Sequence, residues 1–136
     1  MVIERKPMQH LDVLIVEDDD MLNRVMSLQL TTAGLSVRSS RSGEQALAMI
    51  KERMPSALIL DLGLPDMTGK EVIEQLRSEP ATCALPVIVH TTLDLSLAQQ
   101  AQLKLGPTRC VTKTTAYSDA LAELVLELVH WDKSGT

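Results

Sequence analysis

Leu58-Ile59-Leu60-Asp61-Leu62-Gly63-Leu64-Pro65-Asp66-Met67-Thr68-Gly69 is the stretch on which the fold turns. With Ala57 before it, its opening is an unbroken apolar run, too short for a core helix and fitting a strand covered on both faces. The run stops at an acid, Asp61.

The same pattern recurs on either side. Strands are expected at Asp12 to Val16, Val37 to Ser40, Ala57 to Leu60, Pro86 to His90 and Arg109 to Thr112. Helical spacing fills the intervals. Leu22, Val25, Met26, Leu30 and Ala33 share a face before Gly34 ends it. Ala46, Leu47, Ile50 and Met54 form a second face, begun after Ser42-Gly43 and stopped by Pro55. Val72, Ile73 and Leu76 make a shorter third. Tyr117, Leu121, Leu124, Val125 and Leu128 form the most regular stripe, which predicts a last helix packed firmly on the sheet. Strands alternating with helices from end to end imply a single doubly wound α/β domain with a parallel sheet.

One helical segment, Leu95 to Leu105, differs. Leu97, Ala98, Ala101 and Leu105 share a face, leaving Ser96, Gln99, Gln100 and Leu103 on the other. A polar, uncharged outer face with one leucine is either ordinary surface or a contact for a partner or a second copy.

The 136 residues, 45% of them hydrophobic, suit one compact domain. We divide the chain into an extension over residues 1–10, the domain over 11–130 and a tail over 131–136. A formal charge of −5 with scattered Lys and Arg argues against direct nucleic-acid binding. Tyr117 and Trp131, the sole aromatics, offer no base-stacking platform. No apolar run is long enough to span a bilayer and Met1 to His10 lacks a signal-peptide core, so a cytoplasmic protein without a membrane partner is expected. Cys83 and Cys110 read as packing residues, and His10, His90 and His130 as incidental, with His90 packing at a strand end.

In open parallel sheets, ligands bind beyond the carboxyl ends of the strands. Four such places carry polar residues: Glu17-Asp18-Asp19-Asp20, Asp61, Thr91-Thr92 and Lys113. Any one carboxylate there also reads as a cap or a solvated charge, and Asp20 as the cap of the first helix. Together they converge on one sheet edge, where like charges repel unless a cation intervenes. Oxygen donors without a nearby His or Cys suit Mg²⁺, and Lys113 is a point charge able to reach the same ligand.

Leu14-Ile15-Val16-Glu17-Asp18-Asp19, Leu58 to Gly69, Pro86-Val87-Ile88-Val89-His90-Thr91 and Val111-Thr112-Lys113 resemble, in order and separation, the hallmark segments of response-regulator receiver domains. The resemblance covers about Leu11 to Val129 and implies a five-stranded flavodoxin-like sheet, order 2-1-3-4-5, flanked by five helices. It also implies that Asp61 accepts a phosphoryl group from phosphohistidine on a sensor histidine kinase or histidine phosphotransfer protein. Asp18 would then bind Mg²⁺ directly, Glu17 through water, and Gly63 through its backbone carbonyl. Thr91 and Lys113 would contact the phosphoryl oxygens, and Pro65 and Gly69 would shape the loop after the acceptor. Asp19 lies just past the family's acidic pair.

Departures from the family pattern cluster later in the chain. Cys110 replaces an aromatic three positions before Lys113. Thr92 replaces a small residue, Thr114 a proline, and Gly106-Pro107 the usual Gly-Ala step. Arg109 and Cys110 stand where acidic and aromatic dimerisation residues are usual. The pattern implies competent phosphorylation with unusual readout, in a stand-alone regulator, a hybrid-kinase receiver or an excised fragment. A phosphorylation-independent interaction module is the alternative. A phosphatase-type hydrolase is disfavoured, because Gly63 occupies the position where such enzymes usually carry a second Asp.

Overall fold

The computed structural model describes residues 11–64, 66–91, 107–112 and 120–134. Its five strands are β1 (Asp12–Val16), β2 (Ser36–Ser40), β3 (Ala57–Asp61), β4 (Val87–Thr91) and β5 (Thr108–Thr112). All pair in parallel, in the order β2-β1-β3-β4-β5 that the family resemblance implies. Four helices lie among the described residues: α1 (Asp20–Thr32), α2 (Gly43–Glu52), α3 (Gly69–Ser78) and α4 (Ala120–Ser134). The fifth expected helix, Leu95 to Leu105, falls outside the described residues, as do residues 1–10 and Tyr117.

Strand alternation divides the core into two layers. Val13, Ile15, Ala57, Ile59 and Ile88 face α1 and α4, where Leu22, Met26, Leu30, Leu121, Val125 and Leu128 cover them. Leu14, Val16, Leu58, Leu60, Val87 and Val89 face α2 and α3, packed against Ala46, Ile50, Val72, Ile73 and Leu76. Burial on both faces explains the continuous apolar runs in β1, β3 and β4. Each large aliphatic side chain removed from water contributes about 1.5–3 kcal/mol. β2, at the sheet edge, is polar, and Arg38 reaches across from it to Asp12 with Nη2 2.7 Å from Oδ2.

Helix ends follow local chemistry, with two departures from expectation. Asp19, not Asp20, caps α1: its Oδ1 accepts from the N–H groups of Met21 at 2.9 Å and Leu22 at 3.1 Å. A cap must stand one residue outside the helix with extended backbone, as Asp19 does. Asp20 is already helical and pairs with Arg41. At the other end Gly34 takes φ 95°. Its N–H donates to the Thr31 carbonyl while that of Leu35 donates to Leu30, a Schellman closure that also buries both leucines. The second departure is Met54, which lies beyond the end of α2 and is exposed instead of joining its apolar face. Cys83 is likewise exposed, while half-buried Cys110 packs against the α2 and α3 layer.

Arg77, near the end of α3, ties together the entries to β4 and β5. Its guanidinium donates to the carbonyls of Cys83 at 3.2 Å, Leu85 at 2.6 Å and Pro107 at 3.3 Å, and to Thr108 Oγ1 at 2.9 Å. Arg77→Met keeps the stem but leaves these acceptors without their charged donor. It is expected to lower unfolding stability by about 2–4 kcal/mol in urea titrations. A loss below about 0.5 kcal/mol would show that solvent replaces the guanidinium there.

Candidate functional site

Register alone brings the site together. Ile15 pairs with Ile59 and Ile59 with Ile88, forming one row across β1, β3 and β4 on the face toward α1 and α4. Two residues further along each strand the same face continues, because side chains alternate with period two. Those positions are Glu17, Asp61 and His90, and Asp61 is paired with His90. An aliphatic row is thus followed, at the carboxyl edge, by a row of two acids and an imidazole.

All three are buried: Glu17 is 1% exposed, Asp61 7% and His90 0%. Each offers a donor atom within 4.8 Å of the others, and His90 Nε2 lies 3.5 Å from Glu17 Oε1. Burial above all, with the neighbouring Asp61 and Asp18 adding to it, raises the Glu17 carboxyl to about 8. The N–H of Asp19, donating to Glu17 Oε2 at 3.1 Å, works in the opposite direction.

The surrounding loops hold this row in place. Asn23 donates to the Glu17 carbonyl at 3.2 Å and accepts from Ser39 at 2.8 Å, linking α1 to β1 and β2. Gly63 donates its N–H to Asp61 Oδ1 at 3.1 Å, which orients the carboxylate. Gly69 returns to the strand end, donating to the Leu62 carbonyl at 3.1 Å. A Cβ on Gly69 would sit 2.9 Å from the Asp61 carbonyl oxygen and from Leu62 Cα, so only glycine permits this close return. Asp66, which the sequence reading left without a role, reaches the start of α2. Its two carboxylate oxygens accept from Gly43 and Glu44 N–H, both at 2.9 Å, and these bonds hold its carboxyl below the usual range.

Of the residues singled out from sequence, Glu17 and Asp61 meet inside the pocket. Asp18 is exposed at its rim, near enough to act on Glu17. Thr91 ends β4 and its backbone pairs with Thr112. The Thr91 side chain and residues Pro65, Thr92, Gly106, Lys113 and Thr114 lie outside the described residues. The donor set fits a divalent cation, which would offset the repulsion between two buried carboxylates. His90 brings a ring nitrogen into this row, so the acids are not without a nearby histidine as the sequence suggests. Its signal was present in the sequence: it stands two residues past Ile88, so it shares that residue's face at the carboxyl edge.

Comparison with known proteins agrees. The family described as response regulator receiver domain matches residues 13–125. Transcriptional regulatory protein KdpE of Mycobacterium tuberculosis is 35% identical over 112 residues, which is 82% of this chain and 48% of that protein. The chain spans about half the length of the curated relatives it matches. Among solved structures, a candidate response regulator from Chloroflexus aurantiacus J-10-fl superposes with TM-score 0.80 at 31% identity, covering 88% of this chain and 98% of that one. The signal receiver domain of a signal transduction histidine kinase from Syntrophus aciditrophicus gives 0.77 at 26%, covering 88% and 90%.

With its carboxyl raised from an ordinary 4.5 to about 8, Glu17 favours folding in its neutral form. That contribution is complete below the unfolded value and is lost as pH rises through the folded one. Glu17→Gln, permanently neutral, is therefore expected to gain on the wild type by about 2–4 kcal/mol as pH is raised from about 5 to 8 in EDTA, and to level off above. Urea unfolding of both proteins across that range checks it. A difference that does not change with pH would mean that Glu17 ionises as readily folded as unfolded.

Proposed function

The chain belongs to the response regulator receiver domain family, and from that premise we propose that Asp61 accepts a phosphoryl group from phosphohistidine on a sensor histidine kinase or histidine phosphotransfer protein. Receivers are signalling modules, so the covalent state of the chain, rather than a released product, is the output. The observation that carries the reading is Asp61 itself, a nearly buried acid at the carboxyl end of central strand β3, oriented by Gly63 and faced by Glu17.

Transfer of this kind depends on positioning and charge neutralisation more than on acid or base. One Asp61 oxygen attacks phosphorus while the bond to the donor imidazole breaks, and the departing nitrogen keeps that electron pair. The product is an acyl phosphate on Asp61. Glu17, Asp18, Asp61 and the Gly63 carbonyl would hold Mg²⁺, which supplies neutralisation of the carboxylates and of the phosphoryl oxygens. Thr91 donates its hydroxyl to one phosphoryl oxygen, and Lys113 pairs with another and couples phosphorylation to the chain after β5. The position of Thr91 as the last residue of β4, beside Thr112, supports both roles.

Readout then falls to the half of the chain that departs from the family pattern. A protein partner or second copy binds through Leu95 to Leu105 and β5, in a cytoplasmic setting and without direct contact to nucleic acid. Among the described residues no helix is long and apolar enough to cross a membrane.

Incubation with Mg²⁺ and acetyl phosphate should add one phosphoryl mass, abolished by Asp61→Asn and reduced at least about tenfold in rate by Glu17→Gln. No adduct with several donors, in protein shown to be folded, would leave the phosphorylation-independent interaction module as the better reading.

A further inference from the structure

His90 is the member of the buried row that the phosphoacceptor reading does not use. The rest of β4 before it, Val87, Ile88 and Val89, is fully buried and apolar. An aliphatic side chain would continue that strand, whereas an imidazole placed among carboxylates brings a polar group into a site where desolvation is costly. Its row neighbour is Asp61, and its Nε2 lies 3.5 Å from Glu17 Oε1. Two donors on one tetrahedral cation with bonds of about 2.1 Å stand about 3.4 Å apart. The other separations within the trio are all inside 4.8 Å.

We propose that His90 supplies a nitrogen donor to this cation site, so that Glu17, Asp61 and His90 hold a borderline first-row divalent ion such as Co²⁺ or Zn²⁺ in preference to Mg²⁺. The inference rests on the reading of this edge as a cation site. Mg²⁺ favours all-oxygen octahedral surroundings and retains its waters, so an imidazole adds little for it. Imidazole is a strong donor for Zn²⁺, Co²⁺ and their neighbours. A cation so bound also engages Asp61, and the identity of the ion therefore sets how readily the carboxylate is released to a phosphoryl donor.

Any mixed site favours later first-row ions to some extent, so the informative quantity is the ratio of affinities and its dependence on His90. The full chain, stripped of metal, is titrated calorimetrically with Co²⁺ and with Mg²⁺, as are His90→Leu and His90→Gln. The Co²⁺ to Mg²⁺ affinity ratio should fall at least about tenfold in both variants, while Mg²⁺ affinity moves by less than about threefold. In wild-type protein carrying ¹⁵N-labelled histidine, one equivalent of Zn²⁺ should displace the His90 Nε2 resonance and leave those of His10 and His130 in place. That measurement stands even where a variant fails to fold.

An unchanged ratio, an equal loss for both ions or an unmoved His90 resonance would overturn the proposal; the equal loss would mark His90 as a mere partner of Glu17. With Mg²⁺ binding and Asp61 phosphorylation intact, such a result rejects the nitrogen donor alone. Absence of binding by every cation tested rejects the site beneath it as well.

Discussion

Parallel pairing in register across β1, β3 and β4 is the constraint on which the rest of the molecule depends. It stacks Ile15, Ile59 and Ile88 into one apolar row and so obliges Glu17, Asp61 and His90 to form the next. Because β1 lies between β2 and β3, the chain leaves it in opposite directions across the sheet, and a crevice opens at the carboxyl edge where those directions part. Glu17 and Asp61 border that crevice. A slip of one residue in any of the three strands would turn its polar member to the opposite face and disperse the cluster. The hydrophobic layers that fix register are therefore the device that concentrates charge.

Crowded carboxylates are unfavourable in a buried setting, and the loops restrain them instead of letting them separate. Asp19 both caps α1 and donates its backbone N–H to Glu17. Asn23 bridges the Glu17 carbonyl and Ser39. On the other side of the crevice Gly69 brings the start of α3 against the end of β3, while Asp66 fastens the same loop to the first turn of α2. Both walls are thus pinned to helix N-termini, whose unpaired N–H groups would otherwise need solvent. Restraint of this kind suits the phosphoryl transfer proposed for the site, where placement of the acceptor matters more than proton traffic.

The chain is unequal in how closely it follows its family. The acidic crevice is built from the part where hallmark residues are intact, while substitutions gather near β4 and β5. There Arg77 takes over as organiser, its guanidinium joining the carbonyls before β4 to those before β5. Cys110 packs half-buried against the α2 and α3 layer where an aromatic is usual.

Much of this was legible from one sequence. Continuous apolar runs marked β1, β3 and β4 because a strand covered on both faces has no polar side to show, and the five strands were located to within a residue at each end. Glu17, Asp18 and Asp61 were legible as acids directly after such runs. Asp19 was not recognised as the cap, since consecutive acids at Asp18, Asp19 and Asp20 all satisfy the same local preference and only backbone geometry chooses among them. Met54 was misassigned because helical spacing continues on paper past the residue where the backbone leaves α2. Asp66 and His90 went unread for a deeper reason. Sequence determined which residues alternate on each strand and which end each strand carries. The family resemblance implied which strands lie side by side, but only the tertiary structure decided their register, because pairing is settled by hydrogen bonds and packing between segments far apart in the chain. That choice put an imidazole from β4 against carboxylates from β1 and β3.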